Sequence, residues 1–429
     1  MNDNDTHFPV LIIGGGQAGL SMSYCLKQRG IAHLIFEKHR MAEAWRSKRW
    51  DSFCLVTPNW QCTLPGFTYA GPDPKGFMVR DDIVKYLEDY TRSFQPPLRE
   101  GVTVSRLRRD ESGGFAVTTS LGEFTADQVV IATGGYQTAV LPRLSERFAP
   151  DITQLHSSAY KNAEALPPGA VLVVGSGQSG CQIAEDLHLA GRKVHLCIGS
   201  APRTARRYRG KDVVEWLHDM RYYDKPIHEH DDMDRVRAKT NHYVTGRDGG
   251  RDIDLRKFAL EGMQLHGRLL EVADGKLRFG TDLKKNLDGA DATAENIKNA
   301  IDQFIAASGV AAPEEPRYTP LWEPVNEALE LDFAASGITT IIWSMGYGTD
   351  YRWIELPIFN GRGYPTHERG VTSLPGVYFI GLPWQYTWGS GRFSGVARDA
   401  WFLADCIEGN VAKNEEEEDM ILNEWALGS

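Results

Sequence analysis

The chain has 429 residues, 42% of them hydrophobic and 24% charged, and a net charge of −10. That length supports two or three domains with full-sized cores, and the composition is ordinary for a globular enzyme. The acidic balance argues against a general affinity for nucleic acid or for an anionic membrane, and no apolar run approaches the ~20 residues that cross a bilayer.

Met1–Phe8 is short and polar, with neither a basic region nor an apolar one, so a secretory signal is not expected. Four apolar residues, Val10–Ile13, then run into Gly14, Gly16 and Gly19, spaced G-x-G-x-x-G. A helical pattern follows over Leu20–Arg29, and a second apolar run, Ile31–Phe36, ends in Glu37, 18 residues beyond Gly19. Strand, glycine turn, helix, strand and acid each have a task. Gly14 permits the tight turn, Gly16 lets backbone approach a pyrophosphate, and Gly19 lets the helix pack on the strand. The helix N-terminus faces the phosphates, and Glu37 is placed to accept ribose hydroxyls.

Next come Trp45, Arg46 and Trp50, and a loop rich in turn residues over 57–66. Arg80–Phe94 has helical spacing, with Asp81 and Asp82 in its first turn. Short strands are expected over Val102–Leu107, Phe115–Thr119 and Glu123–Ala126, then a buried parallel strand from Asp127 that ends in a glycine turn at Gly134 and Gly135.

A second fingerprint stands at Gly175, Gly177 and Gly180. Gly14 to Gly30 and Gly175 to Gly191 are both 16 residues, and a strand follows each, Ile31–Phe36 and Lys193–Ile198. Counting 23 residues from the first glycine gives Glu37 in the first unit and Ile198 in the second, with Ser200 and Arg203 just beyond. An acid there would repel a 2′-phosphate, whereas serine and arginine would bind one.

Val213–Met220 and Ile297–Ala307 look helical, and Asp282–Ala294 reads as polar and turn-rich. His228-Glu229-His230-Asp231-Asp232 reads as a solvated loop, because adjacent ligands do not share a helix face and nothing downstream completes a metal set. The six cysteines form no C-x-x-C, so neither a redox dithiol nor a zinc knuckle is indicated, and a reducing cytoplasm is the expected location. Ile338–Tyr347 repeats the theme of Val129–Gly135, Val377–Gly381 is a last short strand, a helix is expected over Val396–Ile407, and Glu415–Glu418 is a solvated charge run.

Two fingerprints with glycine-ended strands near 134 and 346 resemble the two-dinucleotide-binding-domain flavoproteins. Glu43-Ala44-Trp45 is similar to the Gly-Gly-x-Trp segment of class B flavin-containing monooxygenases, and Gln154–Tyr160 resembles the second half of their motif F-x-G-x-x-x-H-x-x-x-(W/Y/F). His156 and Tyr160 match; Pro150 and Ile152 stand where the motif has phenylalanine and glycine. That departure disfavours Baeyer–Villiger enzymes and points to the N- or S-oxygenating members, nearest the small bacterial and plant auxin-pathway types.

The resemblance implies an α/β fold of two Rossmann-like domains, three-layer ββα in type, with the NADPH domain inserted into the FAD domain: 1–165 and 316–429 for FAD, 166–315 for NADPH. It implies that FAD is held by Gly14, Gly16, Gln17, Ala18, Gly19, Glu37, Lys38, Trp45, Arg46, Val104, Ala132, Thr133, Gly134, Gly381 and Leu382. NADPH would be held by Gly175, Ser176, Gly177, Gln178, Ser179 and Gly180, with Ser200 and Arg203 near the 2′-phosphate. Asn59 lies near the place where relatives present an amide to the flavin, and reads equally as a turn asparagine. His156 reads as structural; Trp384, Tyr386 and Trp388 read equally as pocket lining or core. The implied activity is oxygenation of a small N- or S-nucleophile by O2 through a C4a-(hydro)peroxyflavin. The alternatives are an NADPH oxidase or reductase making hydrogen peroxide, a Baeyer–Villiger oxygenase, and a flavin-bound assembly protein without turnover. No nucleic-acid or membrane partner is expected, and a homodimer is left open.

Overall fold

Residues 5–410 are described by a computed structural model; the charge run Glu415–Glu418 lies outside the described residues. The first apolar run forms β1 (His7–Ile13), the glycine turn opens α1 (Gln17–Gln28), and the chain returns as β2 (His33–Phe36). β2 is extended by β3 (Leu98–Arg99), and β1 pairs on its other side with β4 (Gly122–Ile131), all in parallel. Strands covered on both faces need apolar side chains on both, which is why Val10–Ile13 and Leu34–Phe36 carry no polar alternation.

β4 is one strand of 10 residues where the sequence pattern suggests two. Its first half closes an antiparallel meander with Val104–Arg109 and Phe115–Thr119, and its second half pairs with β1. Gln128 interrupts the apolar pattern at the changeover. It is buried all the same, its amide donating to Ile407 O and accepting from the Tyr378 hydroxyl.

The second unit repeats the first. β5 (Thr153–His156), β6 (Ala170–Val174), α2 (Gln178–Leu189), β7 (Val194–Cys197), β8 (Gln264–His266) and β9 (Ile338–Trp343) supply a parallel sheet in the order β5–β9–β6–β7–β8. With β10 (Val377–Phe379), the parallel part of the first sheet runs β10–β4–β1–β2–β3. Each fingerprint strand is thus the middle one, and β9 flanks β6 as β4 flanks β1. This corrects the expected boundaries. β5 and β9 fall outside 166–315, so the second sheet reaches from residue 153 to residue 343, because the repeat is incomplete without its third strand. The chain crosses between the domains twice, through Thr138–Ala139 and Tyr347–Gly348, which pair antiparallel.

Helices cover one face of the first sheet and the meander covers the other. Leu20, Leu26, Ile83, Leu87, Val396 and Leu403 pack on the helix side, and Leu107, Phe115, Val117 and Phe124 on the meander side. Arg80–Phe94 forms the helix its spacing predicts. Asp282–Ala294 does not form the expected turns. A helix of 26 residues spans Leu283–Ser308, with Leu287, Ala290, Ala294, Lys298, Ile301 and Ile305 buried along one stripe. Asp288 and Gly289 are exposed beyond that stripe, while Asp291 stands beside it and pairs with Arg203 and Arg256. No helix of the described residues is long and apolar enough to cross a membrane.

The second sheet also buries an imidazole pair. His195 on β7 and His266 on β8 stack at an interplanar angle of 10°, with Nδ1 of the first 3.0 Å from Nε2 of the second. Burial pushes both down to about 4, so the folded protein keeps them neutral where an unfolded chain, with imidazoles near 6.5, takes up protons. Their contribution to stability is complete above about pH 6.5 and is lost as the pH falls toward 4, at a cost on the order of 3 kcal/mol for each imidazole. Chemical denaturation between pH 7.5 and 5 should show that decline, and His266→Gln should flatten it. An equal slope in both proteins would remove the pair from the account.

Candidate nucleotide sites and the crevice between them

The two fingerprints build the same cradle. Gly14 has φ +115°, and a Cβ on it would stand 2.6 Å from Ala132 O; Gly175 has φ +105°, and its Cβ would stand 2.6 Å from Ser344 O. A Cβ on Gly19 would overlap the carbonyl oxygen of Gly14, and one on Gly180 that of Gly175. Helix and strand approach so closely only where both side chains are missing. Gly16 and Gly177 begin α1 and α2 with no side-chain cap, leaving the first N–H groups of each helix free for a ligand. A Cβ on Gly16 would meet nothing within 4 Å, and one on Gly177 only Thr240 Cγ2 at 3.5 Å. Open space in front of uncapped amides fits the pyrophosphate of FAD at the first site and of NADPH at the second.

The ribose ends differ. The Gly15 N–H donates to Glu37 Oε2 at 2.7 Å, and the His39 N–H to Oε1 at 2.9 Å. A carboxylate has about four acceptor positions, so Glu37 keeps capacity for ribose hydroxyls. In the second unit Ile198 is buried where Glu37 stands, and the Gly199 N–H donates instead to Ser176 Oγ at 3.0 Å. Ile198, Gly199 and Ser200, at that end of β7, include no acid. Ser200 is exposed there, as is Lys38 at the end of β2.

Arg203 lies elsewhere than its position in the sequence suggests. It is 4% exposed, pairs with Asp291 at 2.5 Å and lies over the Tyr318 ring at 4.2 Å. Asn59 is likewise engaged: its Nδ2 donates to Asp73 O at 2.9 Å and its Oδ1 accepts from Met78 N at 2.7 Å. The Arg46 guanidinium turns away onto Glu88 at 2.5 Å, tying the helix Glu43–Ser47 to the helix Arg80–Phe94. These three residues hold loops and helices together.

Other predicted residues converge on the α1 N-terminus. A Cβ on Gly381, φ +84°, would stand 2.6 Å from Ala18 Cβ, and the Gln17 amide donates to Gly391 O at 3.0 Å. The Trp45 indole donates to Gln17 Oε1 at 3.3 Å and stacks on Phe393 at 5.6 Å. Leu382 is buried, Val104 packs at the edge of the meander core, and Thr133 Oγ1 accepts from Gln137 beside Gly134. The matched motif residues are ties: His156 Nε2 lies 3.0 Å from Gly346 O, and the Tyr160 hydroxyl donates to Asp186 Oδ2 on α2 at 2.7 Å. Asp186 also accepts from Ser52 and from Arg247, joining a first-domain loop to the second domain.

Sequence reasoning missed the cover over this junction. Residues 213–245 lie across first-domain loops through Trp60 with His218, Ile227 N with Tyr386 O, Tyr223 with Trp388, and Asn241 with Arg392, while Thr240 abuts Gly177. Beyond the helix Val213–Asp219 the segment is polar and without periodicity, so no local signal reports its docking. The one available cue was Arg392 within the glycine-rich run Gly389–Gly395.

The pyridine nucleotide-disulphide oxidoreductase family matches residues 11–273. A CzcO-like oxidoreductase of Geobacillus kaustophilus is 32% identical over 401 residues, which cover 93% of this chain and 97% of that one. An indole-3-pyruvate monooxygenase of Arabidopsis thaliana is 32% identical over 199 residues, 44% of this chain and 48% of that one. A mutant flavin monooxygenase from Stenotrophomonas maltophilia superposes with a TM-score of 0.64 at 18% identity, covering 94% of this chain and 99% of that one; at that identity the likeness is one of fold.

The two kinds of fingerprint glycine separate in a mutational test. Gly16→Val fills open space, so the apoprotein should unfold within about 1 kcal/mol of wild type while purified FAD content falls at least about tenfold. Gly19→Ala should destabilise the apoprotein by about 3 kcal/mol or more, since the backbone cannot yield. Full FAD content in a folded Gly16→Val protein would remove the pyrophosphate from this cradle.

Proposed function

Since the chain belongs to the pyridine nucleotide-disulphide oxidoreductase family, as an oxidoreductase of the flavin-monooxygenase type, we propose that it oxidises NADPH with O2 to place one oxygen atom on a nucleophilic nitrogen or sulfur of a small organic molecule, the other oxygen leaving as water. The observation that carries this reading is the state of the cysteines. All six are free, and burial raises the thiols of Cys25, Cys62, Cys181 and Cys197, with Cys62 pushed up to about 12. Disulfide chemistry, the other use of this architecture, needs a thiolate beside a second cysteine. That leaves oxygen as the acceptor the site is suited to.

FAD, when bound, supplies the hydride acceptor and the activation of O2. The chain supplies the rest. Uncapped amides at Gly16 and Gly177 bind the two pyrophosphates, Glu37 accepts from the FAD ribose, and Gln17 fixes the Trp45–Phe393 pair at the α1 N-terminus. Residues 213–245 lie over the junction. The plant relative's name, indole-3-pyruvate monooxygenase, supports oxygenation as the reaction class.

Preference for NADPH rests on the missing acid at Ile198 and on exposed Ser200. Ser200→Asp should raise the KM for NADPH about 10- to 100-fold and that for NADH less than threefold, the range expected for charge-assisted contacts. Arg203→Ala should instead cost about 1–3 kcal/mol of folding stability, since Asp291 loses one of its two arginine partners and keeps Arg256, and leave the NADPH-to-NADH ratio unchanged. A changed ratio at unchanged stability would return Arg203 to the phosphate. The reaction class is tested by mixing NADPH-reduced enzyme with O2 in a stopped-flow instrument. A near-ultraviolet transient, longer-lived with NADP+ bound, should precede oxidised flavin. Direct return of oxidised flavin, with hydrogen peroxide equal to the NADPH consumed, would make the protein an oxidase.

A further inference from the structure

Asp399 stands on the first turn of the helix 396–410, beneath the loop 384–392 on which the cover segment docks. Its side chain is 1% exposed, and neither carboxyl oxygen has a hydrogen-bond partner among the described residues. Three elements close around it. The turn between His367–Glu368 and Val371–Thr372 brings Arg369, whose Nε stops 3.7 Å from the carboxyl and has no hydrogen-bond partner either. The loop brings the Ser390 hydroxyl, and the helix itself brings Arg398.

Arg369 is not free to close that gap. Its guanidinium carbon lies 4.0 Å over the Tyr386 ring and 4.1 Å over the Phe402 ring, and a terminal nitrogen donates to Arg398 O at 3.2 Å. Its backbone has φ +49°, a region that residues other than glycine rarely adopt. Ser390 Oγ accepts from the N–H groups of Tyr386 and Thr387, both at 3.1 Å, and so fixes the loop. The cover joins the same loop: Ile227 N donates to Tyr386 O at 2.7 Å, and Tyr223 meets Trp388 at 4.5 Å. Arg398 reaches out to Asp224 of the cover at 2.6 Å, and the His228 ring of the cover lies 6.2 Å from that of Tyr386.

A carboxylate sealed from water, with its arginine held out of hydrogen-bonding reach, is largely uncompensated. Burial outweighs the pull of Ser390, Arg369 and Arg398 and pushes the carboxyl up to about 6. Linkage then sets a direction. With the loop lifted, the carboxyl meets water and titrates near its ordinary 3.8, so the closed arrangement binds the proton more tightly. Acid favours closure, and ionisation favours opening.

We propose that Asp399 is a positioning residue and a proton-linked latch: its carboxyl takes up a proton as the loop 384–392 closes, and gives it up as loop and cover lift away. The latch is built from side chains outside both nucleotide cradles and holds whichever acceptor takes the electrons.

Hydrogen exchange of the FAD holoenzyme tests it, read by mass spectrometry on residues 213–245 and 384–392 and corrected for the intrinsic pH dependence of exchange. The opening equilibrium of both segments should rise about tenfold from pH 5 to pH 7.5, the ratio that a shift from 3.8 to about 6 gives. Strand β1 should not follow, because the imidazole pair His195–His266 lowers global stability in acid and so acts in the opposite direction. Asp399→Asn should hold both segments near the wild-type pH 5 protection at every pH, and His228→Gln should keep the tenfold rise. Exchange in the wild-type protein that ignores pH, or that increases in acid, would overturn the proposal, and that outcome needs no variant to fold. So would a rise that persists in Asp399→Asn, or one that vanishes in His228→Gln and thereby assigns the proton to the histidine.

Discussion

Everything functional in this protein depends on how closely a helix can approach a strand. In both domains the carbonyl oxygen of the first fingerprint glycine occupies the place where a Cβ of the third would be. That contact sets the helix over the strand ends and leaves its first amides facing open space. The anion-binding capacity of an uncapped helix is a general property of the peptide dipole. What is particular is that the chain builds the same contact twice, on the middle strand of each sheet, and joins the two sheets by one antiparallel crossing at 138–139 and 347–348. The two sites are held in one architecture because each domain is tied at this crossing and again through Asp186, which gathers Ser52, Tyr160 and Arg247 from three segments.

The repeat is geometric, and the chemistry at its ends is not repeated. The first unit stabilises its turn with an acid from the end of β2; the second does so with the hydroxyl of a fingerprint residue, Ser176. The difference follows from one substitution in register, Glu37 against Ile198. A carboxylate both accepts from backbone and presents charge to a ribose. The Ser176 hydroxyl accepts from a different N–H, that of Gly199 at the strand end, and presents no charge. The two cradles thereby differ in charge at their ribose ends without any change of fold.

What could be read from sequence alone was whatever is local. The fingerprints, their strands and the helix Arg80–Phe94 are encoded by spacing and by buried runs, and they stand where spacing puts them. The failures share a cause. β4 was divided because Gln128 is polar, and its burial is compensated by Tyr378, 250 residues away. The helix Leu283–Ser308 was lost because its polar face dominates the composition while a thin stripe of leucine, alanine and isoleucine carries the packing. β5 and β9 were assigned to the wrong domain because strand pairing is non-local. Arg203 reads as a phosphate ligand, and Asn59 equally as an amide donor and a turn asparagine, because residue type and distance from a motif do not reveal a partner such as Asp291 or Met78.

The same reasoning explains why unpaired charge is more informative here than any single motif. Most buried cations in this molecule can be accounted for within it: Arg206 by Asp212, Arg256 by Asp288, Asp291 and Glu323. Such pairs are weak evidence for function, since they satisfy their own desolvation. A guanidinium stacked on a ring and hydrogen-bonded only to neutral oxygens is in the opposite position. The Trp388 ring, Trp388 O and Asn241 Oδ1 hold the Arg392 guanidinium in one plane and leave it little conformational freedom. The domain junction therefore sets Arg392 and Arg49 against the rings of Trp388 and Trp45, beside the polar segment 213–245.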